Sequence, residues 1–141
     1  MTPAPPRHER IAHTAELALR LEADTPAEVY AEACRALGAM LREETGSIPA
    51  GEEVSRTVAV DAVDADALLV DLLNELIYLA ETERWAPSAV PAVECTATRV
   101  VLRIAGARLR RVPARIKSAT HHGLALRRVG ERWVAEVIFD V

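Results

Sequence analysis

Asp66–Glu81 reads Asp-Ala-Leu-Leu-Val-Asp-Leu-Leu-Asn-Glu-Leu-Ile-Tyr-Leu-Ala-Glu. Leu68, Leu69, Leu72, Leu73, Leu76, Ile77 and Leu79 recur at helical spacing and cover most of a cylinder. Asp71, Asn74, Glu75 and Tyr78 form a narrow polar seam at i, i+3, i+4 and i+7. The pattern predicts a central helix, sunk into the core on all sides but one, with the remaining chain wrapped round it. A seam of this kind is usually a solvated face, and otherwise lines a site or a partner surface.

Upstream, Thr25-Pro26-Ala27-Glu28 is a capping box with proline at the first helical position, which starts a helix that Gly46 is placed to stop. Val29, Ala33, Leu37, Met40 and Leu41 make its apolar stripe, with Glu32 and Arg35 outside it. Before it, Arg10–His13 and Leu17–Glu22 read as short strands; Leu17, Leu19 and Leu21 face inward, and Glu16 points outward at the strand entry. Residues 1–9, with Pro3, Pro5 and Pro6, are expected as a flexible tail, leaving 10–141 as one domain.

Glu53–Ala62 alternates as a strand, and Asp64 or Asp66 is placed to cap the central helix, which should end before Trp85-Ala86-Pro87. Strands follow at Val93–Thr98, Arg99–Leu109, Ile116–Arg127 with a bulge at Gly123, and Arg132–Val141. In the last, Trp133, Ala135, Val137, Phe139 and Val141 share one face. The order predicts an α+β fold, a mostly antiparallel sheet with two packed helices.

Half the residues are hydrophobic and only 4% aromatic, so the core is built from aliphatic side chains. The formal charge of −4 conceals an asymmetry: residues 1–98 carry 7 Lys and Arg against 18 Asp and Glu, and residues 99–141 carry 10 against 3. The acidic part argues against a stand-alone nucleic-acid binder, and charge complementarity within the fold is the simpler account. Cys34 and Cys95 lack C-x-x-C spacing, which points to two reduced thiols. With no apolar leader and every long apolar run broken by acid, the expectation is a cytoplasmic protein, with no membrane association.

Phosphate loops, dinucleotide fingerprints, nucleophile elbows and zincin motifs are all lacking. The strand ending in Asp140 and Val141 is among the most apolar in the chain, so this end should be pinned to the sheet. A pinned end brings the Asp140 carboxylate and the Val141 main-chain carboxylate close together, and two such anions repel unless a cation or donors lie between them. Hard oxygen donors suit Ca²⁺ or Mg²⁺ over zinc. A solvated terminus is the simpler alternative.

Four segments carry a resemblance: His13-Thr14-Ala15-Glu16, Asp71 to Leu79 in the helix, Ile116-Lys117-Ser118-Ala119-Thr120-His121-His122, and Trp133 to Val141. Together they resemble archease, the small activator of the RtcB-type tRNA-splicing RNA ligase. The resemblance implies a divalent metal, typically calcium, held by Glu16, Asp140 and the carboxylate of Val141, with Glu16 where the family usually has Asp. It implies partner contacts through Lys117, the only lysine in the chain, and places His121 (where the family more often has Tyr) and His122 beside it. His13 is expected to pack or hydrogen-bond near the metal.

The function so implied is that of an accessory protein and not an enzyme. It would promote guanylylation and multiple turnover of an RNA ligase in tRNA splicing or RNA repair. The alternatives are a small metal-dependent hydrolase using the same carboxylates, or a general RNA-processing modulator binding through Arg108, Arg110, Arg111 and Arg115.

Overall fold

The computed structural model describes residues 4–12, 16–46, 53–121 and 124–141. The element order is β1 (Arg7–Ala12), β2 (Glu16–Ala23), α1 (Pro26–Thr45), β3 (Val54–Asp61), α2 (Ala65–Glu83), β4 (Trp85–Cys95), β5 (Arg99–Arg108), β6 (Ser118–Thr120), β7 (Arg127–Val129) and β8 (Arg132–Asp140). The strands form two antiparallel sheets. One has the order β1-β2-β8-β6 with β7 also on β8; the other runs β3-β5-β4. The helices bridge them: α1 packs on β2, β4 and β8, and α2 on β3, β4, β5 and β6. One aliphatic core results, centred on Leu37, Leu41, Leu69, Leu73, Leu102 and Phe139.

Both helices begin where the sequence places their caps. The Thr25 side chain accepts from Glu28 N at 3.1 Å, and Asp64 accepts from Ala67 N at 2.8 Å. The other candidate cap, Asp66, instead accepts from Leu126 N at 2.8 Å and ties the chain before β7 to the start of α2. Between Leu68 and Ala80, α2 is exposed only at Asp71, Glu75 and Tyr78, as its periodicity predicts, and its last turn, Glu81 to Glu83, is exposed as well.

Five expectations change, one being the strand expected over Ile116–Arg127, of which only Ser118–Thr120 and the first residue of Arg127–Val129 form. α1 is the more enclosed helix: Val29 to Cys34 are buried without interruption, because Ala31, Ala33, Ala36 and Gly38 let neighbours approach from several sides. Gly38 shows how closely, since a methyl group there would fall 2.8 Å from Pro87 C and closer still to its carbonyl oxygen. Glu32 is not on an outer face but 8% exposed, its carboxylate bonded by His8 Nδ1 at 2.8 Å and Arg35 Nε at 2.9 Å. β1 starts at Arg7, inside the segment expected as a tail; Arg132 donates to Ala4 O and Pro5 O and holds the chain leading into it. Finally, β4 begins directly after α2, through Pro87 and Pro91. It is an edge strand, where proline's missing N–H is tolerated, and its pairing with β5 shifts register on both sides of Ala89. The bulge expected at Gly123 lies outside the described residues, as do His13 and His122.

The basic C-terminal third meets the acidic remainder within the fold. Arg99 pairs with Asp61 at 2.6 Å, and Arg132 with Asp24 at 2.6 Å and Glu22 at 3.6 Å. The segment after β5 crosses the C-terminal ends of both helices. Leu109 N donates to Arg84 O, the cap of α2; Arg110 N donates to Gly46 O, the cap of α1; and Arg111 reaches Glu44 O. Positive charge there complements two helix dipoles.

Candidate functional site

β8 lies between β2 and β6, and the register sets Asp140 directly opposite both Glu16 and Ser118. Cross-strand partners in an antiparallel pair have Cβ atoms about 4.5–5.5 Å apart, so the two carboxylates face each other across one rung. Both are exposed, and neither forms an ion pair with any described residue. Ser118 Oγ lies 3.4 Å from Asp140 Oδ2, a long bond, and Lys117 N donates to Asp140 O at 2.9 Å. Val141 follows at the sheet edge, 36% exposed.

Two like charges directly opposite on a sheet are destabilising unless something positive lies between them. The donors are hard carboxylate oxygens with a hydroxyl beside them, chemistry that fits Ca²⁺ or Mg²⁺ and not zinc. Among the described residues no group of three or more His, Cys, Asp and Glu side chains could hold a metal ion. Any further protein ligand to a cation at this rung is therefore a hydroxyl, amide or main-chain oxygen, or lies outside those residues.

Lys117 is exposed, its ammonium without an ion-pair partner among the described residues, immediately before the rung. His121 is exposed just after β6, and its carbonyl accepts from Leu124 N at 3.2 Å. The sequence therefore brings Glu16, Asp140, Val141 and Lys117 to one end of the sheet, with His121 just past the end of the short strand β6.

One positioning residue escapes the sequence reading. Asn74, half-buried in the seam of α2, donates through Nδ2 to Ala119 O at 3.1 Å and accepts through Oδ1 from Ala119 N at 2.8 Å. The amide thus imitates a strand neighbour and pins β6, the strand that flanks the Asp140 rung. An amide carries a donor and an acceptor on one planar group, which is why Asn serves here and a carboxylate would not. The available signal was an Asn inside a seam whose other charged members are both acidic. Elsewhere, Glu44 accepts from Ala114 N at 2.7 Å and Arg115 N at 3.1 Å, fixing the loop that leads to Lys117.

The site and scaffold are those of a small α+β protein with paired carboxylates at one end of a sheet. Among its described residues the one hydroxyl bonded to a carboxylate is that of Ser118, 3.4 Å from Asp140 Oδ2. Residues 8–141 match the Archease protein family (MTH1598/TM1083), and the chain belongs to that family. The protein archease of Methanopyrus kandleri is 30% identical over 140 residues, covering 94% of this chain and 98% of that one. The protein archease of Methanosarcina acetivorans is 26% identical over 143 residues, covering 96% of each. Two solved structures share the fold. Protein 1598 of Methanobacterium thermoautotrophicum superposes with a TM-score of 0.70 at 20% identity over 95% of this chain and 98% of that one. An archease of Thermotoga maritima, described as a possible chaperone, gives 0.61 at 24% identity over 94% and 96%.

Proposed function

We propose that this protein is an accessory factor that activates an RtcB-type RNA ligase. It promotes guanylylation of the ligase and its multiple turnover in tRNA splicing or RNA repair, and catalyses no reaction itself. The observation that carries the reading is the Glu16–Asp140 rung, a pair of carboxylates that, like the nearby Lys117, forms no ion pair among the described residues. A divalent cation, calcium by the family resemblance, is held by Glu16, Asp140 and, where Val141 is the last residue, its main-chain carboxylate. When bound, the ion supplies positive charge at the sheet edge. The chain's own part is to orient the carboxylates through β2 and β8 and to offer Lys117, with His121 and His122, to the partner. Activation is then a difference in affinity between two states of the ligase. The setting is cytoplasmic on this reading, and no described helix is long and apolar enough to cross a membrane.

The test is ligation by the purified ligase with RNA in excess. Added protein should raise turnover, and Asp140→Asn or Lys117→Ala should lower that gain with melting temperature unchanged. Calcium should raise the melting temperature of the parent and not of Asp140→Asn. Undiminished stimulation by both variants would overturn the assignment of this edge.

A further inference from the structure

A second site lies at the far end of α2, ten residues beyond Asn74 and so about 15 Å along the helix. There Arg56, Arg84 and Arg108 line an open cleft of about 450 Å³ with Glu83 as its only carboxylate. Arg56 spends one donor on Glu83, at 2.7 Å. Arg108 is exposed with no partner among the described residues, and Arg84 has a single 3.5 Å contact with Arg110 O. Two guanidinium groups are thus left without a counter-ion on one concave surface.

Two further features define the cleft. Arg84 has φ 52° and ψ 39°, the only positive φ among described residues other than glycine. This cap position favours glycine, so an arginine there carries a backbone cost. The cleft wall is fixed: the Trp85 indole donates to Val54 O at 3.0 Å, is covered by the Arg56 guanidinium at 5.2 Å, and lies against Gly106, where any side chain would overlap the ring. Because Trp85 is only 3% exposed, the cleft offers guanidinium forks and no free aromatic surface.

We propose that this cleft binds phosphate groups of a single-stranded nucleic acid, as a backbone contact without base readout. Arginine forks match phosphate oxygens in pairs. The exposed Arg108 at the mouth is followed by the exposed Arg111, one of whose guanidinium nitrogens donates to Glu44 O, so positive charge extends past what one phosphate needs. The inference stands apart from the metal-bearing edge and is tested on the protein alone.

The probe is a fluorescently labelled ten-nucleotide oligoribonucleotide, followed by anisotropy between 50 and 200 mM salt. With about three phosphates engaged, log affinity should fall against log salt with a slope of about −2. Arg84→Gly, which keeps the backbone conformation, and Arg108→Ala should each weaken binding by about tenfold and reduce the slope by about 0.7. Arg103→Ala, on the outer face of β5, should change neither. Inorganic phosphate should compete only at far higher concentration; competition at equal concentration would make a free anion the ligand and overturn the strand proposal. Equal loss in Arg84→Gly and Arg103→Ala would reduce the effect to net charge. No binding at 50 mM salt would mean that the arginines serve only the helix end.

Discussion

Replacing Asn74 by alanine removes both hydrogen bonds to Ala119 and leaves its N–H and C=O without those partners on a residue only 5% exposed. A typical bond contributes about 1 kcal/mol net, and an unsatisfied buried group costs about 1–3 kcal/mol, so the variant should lose about 2–4 kcal/mol. At about 3 °C per kcal/mol for a domain of this size, melting should fall by about 6–12 °C. Urea titration should show a lower midpoint with an unchanged slope. Hydrogen exchange gives the local readout: the Ala119 amide should lose protection out of proportion to the core of α2. Asn74→Asp sharpens the test. Its carboxylate can still accept from Ala119 N but faces Ala119 O with an oxygen, so folding raises that carboxyl's pKa. The variant should therefore recover stability below about pH 4, where the protonated form regains a donor, and lose it as pH rises. A melting point within about 2 °C of the parent for Asn74→Ala, with the Ala119 amide still protected, would refute the clamp.

Gly38→Ala should destabilise by about 2–4 kcal/mol despite alanine's better helix propensity, because the methyl group would drive α1 off Pro87 and strain the Arg42 bond to Pro87 O. A midpoint in urea equal to or above the parent's would contradict that packing. Burial pushes the Cys34 thiol up to about 12, so folding favours its protonated form. That stabilisation is complete below about pH 9 and is lost at higher pH, at about 1.4 kcal/mol per unit. Cys34→Ala should accordingly flatten the alkaline decline measured by denaturation between pH 9 and 11; parallel profiles would exclude it.

What could be read from the sequence was what local patterns determine. The Leu spacing of α2, the Thr25 cap and the alternation of β8 each need only a few neighbouring residues, and each is found. α1 misled because small residues carry little hydrophobic signal, although Ala31, Ala33 and Gly38 are what permit close approach on several sides. Glu32 read as surface because its partner His8 sits 24 residues away on a strand that the prolines hid. For the site, periodicity placed Glu16 and Asp140 on outward faces. Their position on one rung depends on the pairing of β2 with β8, and was expected only through the family resemblance. The arginine cleft draws on Arg56, Arg84 and Arg108 from three separate elements, so no contiguous motif announces it.

β8 occupies the middle of its sheet although it is the last strand in chain order. During synthesis the β1–β2 hairpin must wait, one edge bare, for more than a hundred residues to leave the ribosome. Until then Glu16 has nothing opposite it. A chain stopped before β8 would lack the middle of this sheet and the carboxylate rung together.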